Sequence, residues 1–306
     1  LENSKFQEVS LISLVIRTRT VYNKSRRTCR HFQMGVSKSM QENLIKKWES
    51  LTISNDFLFG KVMSHPGLCQ KLLERIFPDM EIDHIEYPEL QKSIHVDYDA
   101  KGVRLDVYVK DDKNTVYNIE MQAIDTKELP KRARYYQSMI DLQLIDRGTD
   151  YQELNQCYVI FICQTDIFNK GRHKYTFRNL CVEDTSTELG DQTCKVFLNA
   201  GGTMDDIDPK LKAVLDYVAG KLSDDPYVKE LDAAVAEAKH NREWRREYMT
   251  LEMKYKEKYN EGQKNGLEQG ITLTKTVFKL SRDGYTEKEI AAKTNLPVDQ
   301  VKSILE

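Results

Sequence analysis

Apolar positions along the chain change period several times, and the changes divide it into elements. Residues 41–49 (QENLIKKWE) carry a short helical pattern. Ser54 or Asn55 can cap a second helix in which Phe57, Leu58, Val62, Leu68, Leu72, Leu73 and Ile76 mostly keep helical spacing, interrupted at His65-Pro66-Gly67 and stopped by Pro78. Strands are predicted next at 93–98, 102–110 and 115–124. Asp111, Asp112, Lys113 and Asn114 separate the last two and favour a turn, which predicts an antiparallel hairpin. A helix over 128–145 ends at Gly148. The run CYVIFIC at 157–163 is apolar on both faces, as a covered central strand requires. Weaker strands are expected at 173–180 and 195–199. Helix, three strands, helix and buried strand, in that order, predict a mixed α/β core of about 150 residues.

Past residue 210 the pattern changes. Between 221 and 270 charged residues of both signs dominate, and Trp244, Tyr248, Leu251 and Tyr255 recur at steps of four, three and four. This predicts a long solvated helix with a narrow apolar seam, lying either on its own domain or, over 221–260, against a second copy in a homo-oligomer. Gly262, Gly266 and Gly270 read as a weak helix or hinge. In the last stretch a helix over 271–282 reaches Gly284, Thr286 to Glu289 form a capping box, Asn295 ends that second helix and Pro297 opens a third. Three short helices suggest a helix-turn-helix, with Asp299, Gln300, Lys302 and Ser303 placed to face a major groove. The net charge of +1 over 271–306, from six Lys or Arg against five Asp or Glu, fits a protein contact equally well. The expected organisation is a basic extension over 1–40 outside the fold, a domain over 41–210, a charged helix and hinge over 211–270, and the small helical unit over 271–306.

Composition narrows the classes of function. Of 306 residues, 31% are charged, above the roughly 25% of ordinary domains, yet the net charge is only −2. That balance gives no global attraction to nucleic acid. Six cysteines lack CxxC spacing, which argues against a disulfide framework or zinc knuckle and suits a reducing cytoplasm. No apolar run is long enough to span a membrane. Residues 1–33 hold seven Lys or Arg against two Glu, with Met34 and Met40 just before the first helical pattern. They read as an upstream extension or a basic nucleic-acid arm. A P-loop, a Rossmann fingerprint, HExxH and a nucleophile elbow are all missing from the sequence, leaving the chemistries they serve without support.

The candidate chemistry lies in the hairpin. Alternation puts Arg104, Asp106 and Tyr108 on one face of the first strand, and Asn118, Glu120 and Gln122 on one face of the next. A three-residue loop at 112–114 sets Asp106 opposite Glu120, with Cβ atoms about 4.5 to 5.5 Å apart. Two carboxylates that close repel unless a proton or cation lies between them, and Mg²⁺ is typically held by one or two carboxylates plus water and phosphate oxygens. Solvation, or pairing with Arg104, would also accommodate them.

The strings NDFLFGKVM at 55–63, GVRLDVYV at 102–109, YNIEMQ at 117–122 and KRARYYQSMI at 131–140 resemble the Rpn family of recombination-promoting nucleases, also labelled transposases, within the PD-(D/E)XK nuclease superfamily. The resemblance covers roughly 52–200. It implies a restriction-endonuclease-like mixed sheet flanked by helices, with a helical C-terminal extension. It further implies Mg²⁺-dependent DNA endonuclease activity in recombination or transposition. Asp106 and Glu120 match the catalytic, metal-binding carboxylates, the Met121 carbonyl supplies a further ligand, and Asp56 matches an auxiliary acidic residue on the first core helix. Gln122 stands where the superfamily has its catalytic lysine; its amide could orient a water, but a cation is lost. Lys131, Arg132, Arg134, Tyr135 and Gln137 are the expected DNA contacts. The missing lysine also suits a catalytically weak or silenced nuclease fold that binds DNA, and the long charged helix an oligomeric scaffold.

Overall fold

The structure, a computed structural model, describes residues 38–86, 88–94 and 101–306. The expectations for residues 1–33 and for the second half of the 93–98 strand fall outside the described residues. The chain separates into two compact units, dividing after Arg245.

The first unit is built on a six-stranded sheet in the order β1-β2-β3-β4-β6-β5. Its strands are β1 (Glu89–Ile94), β2 (Val103–Lys110), β3 (Val116–Gln122), β4 (Cys157–Cys163), β5 (Lys174–Phe177) and β6 (Thr193–Asn199). The β3-β4 and β4-β6 pairs are parallel and the others antiparallel. Every residue of β4 is buried, as its two-sided apolarity predicted.

Helices α1 (Lys38–Glu49), α2 (Asp56–Met63) and α3 (Pro66–Ile76) precede the sheet. Asn55 caps α2 by accepting the Leu58 N–H at 3.1 Å, and Pro66 opens α3. Phe77, just past α3, packs on Tyr117 and Tyr158 of one sheet face. Helix α4 (Leu129–Leu144) forms the β3-to-β4 crossover and covers the other, where Tyr136 meets Phe161. Two later helices, α5 (Pro209–Val218) and α6 (Pro226–His240), complete the unit. Fully buried Trp48 ties α1 to α6 through its indole N–H on the Lys239 carbonyl, at 3.0 Å, and to α2 by edge contact with Phe57.

Helix α7 (Arg242–Arg282) starts in the first unit and continues through the second, which also holds α8 (Glu287–Thr294) and α9 (Val298–Leu305). Val277, Ile290, Ala291 and Val301 form the second unit's small core. The expected capping box is present, with Thr286 and Glu289 exchanging hydrogen bonds, and Asn295 ends α8 in the left-handed conformation. Asp299, Gln300, Lys302 and Ser303 are all exposed on α9.

One expectation needs correction. The stretch 221–260 is not one helix, because Asn241 breaks it: its carboxamide oxygen accepts the N–H groups of Glu243 and Trp244 at 3.0 and 3.1 Å and starts α7 anew. Of the two readings of the glycine-rich stretch, weak helix or hinge, the structure takes the helical one: α7 runs through Gly262, Gly266 and Gly270. Each glycine costs about 1 kcal/mol against alanine, a cost that the Glu, Gln, Lys and Leu residues between them tolerate. Nothing lies within 4 Å of a Cβ added at any of the three. Replacing all three with alanine is expected to raise helical ellipticity and the thermal midpoint, by up to about 1 kcal/mol per site. Circular dichroism melts check this, and a fall in both quantities would show that the stretch bends in solution.

Candidate active site

The site forms where β2 leaves β3. Their ladder runs from Lys110 opposite Val116 to Val107 opposite Ile119. Beyond that, β2 continues beside β1 and β3 continues beside β4, so a fork opens between them. The loop 112–114 sets the register: the Asp111 N–H donates to the Thr115 carbonyl at 3.1 Å, and Asn114 takes φ 60°. The buried Asp111 carboxylate holds this loop, accepting the N–H groups of Lys113 and Thr115 and the Tyr117 hydroxyl at 3.0, 2.7 and 2.9 Å.

Carried one pair further, that register puts Asp106 opposite Glu120. In place of ladder bonds, the Asp106 N–H donates to Glu120 Oε1 at 3.1 Å and the Met121 N–H donates to Asp106 Oδ2 at 3.2 Å. Each carboxylate thus accepts a backbone N–H from the other's strand. Gln122's carbonyl accepts the Gln164 N–H on the β4 side. Strand alternation therefore turns the Met121 carbonyl toward the fork.

Burial pushes the Asp106 carboxyl up to about 6, with the nearby charge of Asp56 as the second cause. Glu120, only 2% exposed, is raised well above the ordinary range by burial and then by Asp106. Asp56 opens α2 and its Oδ1 accepts the Phe57 N–H at 2.8 Å. Helix α2 lies close to β2, for a Cβ placed on Gly60 would come within 3.8 Å of the Asp106 carbonyl.

A cavity of about 980 Å³ opens over the fork, lined by Asp56, Asp106 and Glu120 and by Lys101, Arg104, Lys127, Lys131, Arg132 and Arg134. Arg132 reaches deepest: its Nη2 donates to Gln122 Oε1 at 2.9 Å and lies 3.6 Å from Glu120 Oε2. Gln122's amide nitrogen also donates to the Ile124 carbonyl. Tyr135 lines the cavity with its hydroxyl on the Lys101 carbonyl.

The structure thus gathers Asp56, Asp106, Glu120, Met121, Gln122, Lys131, Arg132, Arg134 and Tyr135 around one cavity. Gln137 is a correction. It is buried, bonded to Asp141 at 2.9 Å, and does not line the cavity, because it shares the inward stripe of α4 with Ala133 and Ile140. Sequence reading did not assign Lys101, Arg104 and Lys127 to this cavity; of the three only Arg104 carried a signal, its shared face with Asp106.

Two adjacent carboxylates and a backbone carbonyl are an oxygen-only donor set, and their repulsion is what a divalent cation relieves. They fit a hard ion such as Mg²⁺, which keeps several of its waters. Among the described residues no three His, Cys, Asp or Glu side chains converge as a metal site, so water or substrate oxygens would complete the shell.

Residues 53–200, the sheet and the helices around the fork, match the family model described as PD-(D/E)XK nuclease family transposase. This core is similar to that family, and its mixed sheet with flanking helices is the fold expected of it. No curated protein and no solved structure gave a significant match. Among the described residues no helix is long and apolar enough to cross a membrane.

Since Asp106 titrates near 6 when folded and near 3.9 when unfolded, the folded chain holds more protons between those values. Its contribution to stability is therefore favourable at low pH and declines as pH rises through that window. In the presence of a chelator, wild type should lose more of its thermal midpoint between pH 4 and 6 than Asp106→Asn does. Parallel midpoints in the two proteins would show that the pair is not strained.

Proposed function

We propose that the chain is a Mg²⁺-dependent DNA endonuclease acting in recombination or transposition. The observation that carries the reading is the mutually repelling pair of half-buried Asp106 and buried Glu120 at the floor of a cation-lined cavity, within a core similar to a nuclease family. Asp106, Glu120 and the Met121 carbonyl would hold the ion, with Asp56 adding negative charge beside it. When bound, such an ion lowers the pKa of water and neutralises charge on a scissile phosphate. Lys131 and Arg134, exposed on the first turns of α4, together with Lys101 and Arg104, would bind flanking phosphates and so fix the strand over the fork.

A second reading, a DNA-binding protein with a silent nuclease core, is favoured by Gln122. Its amide is engaged at both ends, by Ile124 and Arg132, which leaves it less able to orient a water. A plasmid assay with and without Mg²⁺ separates the two. Asp106→Asn and Glu120→Gln should each abolish Mg²⁺-supported cleavage, by at least about 10³-fold, and the double variant should be no worse than either alone because the pair acts as one unit. Full cleavage by Asp106→Asn would overturn the assignment, while salt-sensitive binding by a wild type that never cleaves would favour the silent core.

A further inference from the structure

Arg132 is placed unlike the other cations of the cavity. Lys131 and Arg134 are exposed, whereas the Arg132 side chain is 29% exposed and its guanidinium lies against the rings of Phe161 and Tyr136, at 5.0 and 5.4 Å from their centres. Such packing orients a planar guanidinium. Its Nε is buried without a partner, and among the described residues Nη2 alone has a hydrogen-bond acceptor, Gln122 Oε1. Good charge-assisted bonds run about 2.7 to 2.9 Å, so the 3.6 Å approach to Glu120 Oε2 is a loose ion pair. The stem is thus anchored and the head, held by Gln122 Oε1 alone, lies beside the Asp106 and Glu120 carboxyl pair.

We infer that Arg132 is the fork's own catalytic cation, neutralising Glu120 in the free protein and moving onto the scissile phosphate when substrate enters. The inference rests on the nuclease reading above. A guanidinium presents parallel donors that match two phosphate oxygens, and preorganised donors aimed at developing phosphoryl charge act strongly in a partly desolvated site. Gln122 then serves as the tether that holds Nη2 beside Glu120. The same geometry makes Arg132 a rival of a divalent ion for Glu120 Oε2, so its removal slows cleavage while leaving ion binding intact or stronger. A merely structural residue would lower both.

The test measures Mn²⁺ binding to the DNA-free protein by calorimetry, alongside plasmid cleavage. Arg132→Met should bind Mn²⁺ as tightly as wild type or several-fold more tightly, and should cleave about 10²-fold or more slowly. Returning the charge from the strand, in Gln122→Lys combined with Arg132→Met, should recover at least about tenfold of that loss, since an ammonium at 122 reaches the same corner of the fork. If Arg132→Met lacks a cooperative melt, Arg132→Lys replaces it; that variant keeps stem and charge but not the paired donors, and should cleave at least about tenfold more slowly with unchanged Mn²⁺ affinity. Cleavage at the wild-type rate by the variant used, or joint loss of Mn²⁺ binding and cleavage, overturns the role of Arg132 alone. A wild type that does not cleave overturns the nuclease reading together with this inference.

Discussion

Two carboxylates held in one fork with little access to water are the constraint on which the site depends. Burial favours their neutral forms and each charge disfavours the other, yet each also accepts a backbone N–H from the other's strand. Truncating either side chain therefore removes an acceptor as well as a charge, whereas Asp106→Asn or Glu120→Gln keeps an oxygen acceptor and removes the charge. A fold that keeps such a pair spends stability on it. That is the pattern expected where a cation, a proton or a substrate completes the electrostatics.

The rest of the first unit holds the fork in place. Asp111 locks the hairpin loop, the loop sets the register, and the register delivers Asp106 to Glu120. Strand β4, buried along its whole length, gives β3 a rigid neighbour exactly where β2 departs. On one face α2 brings Asp56 toward Asp106, and on the other α4 lays Arg132 across Phe161 toward Glu120. Negative charge thus collects at the floor of the cavity and positive charge along its walls, an arrangement suited to an ion below and a polyanion above.

The hairpin was legible in the sequence because its information is local. Four turn-forming residues between two alternating strands set the loop length, and the period of two then decided which side chains meet. Strand β4 was legible for a similar reason, as was the Thr286 capping box. The direction of Arg132 was not, because three cations within four residues of one helix point differently and only packing against Phe161 selects among them. Gln137 was misjudged as a groove residue although Ala133 and Ile140, four before and three after it, already marked an inward stripe. The break at Asn241 was missed, and the glycine stretch left open between helix and hinge, for a shared reason. Charge patterning reports solvation, whereas a single capping side chain and the propensities of the intervening residues decide where a helix stops.

The central claim is that the fork is a cation site, and crystals grown with Mn²⁺ test it most directly through an anomalous difference map. The account predicts a peak within bonding distance of carboxylate oxygens from both Asp106 and Glu120, with Arg132 displaced from Glu120. A fork without a peak at saturating Mn²⁺, and Arg132 still resting on Glu120, would contradict it.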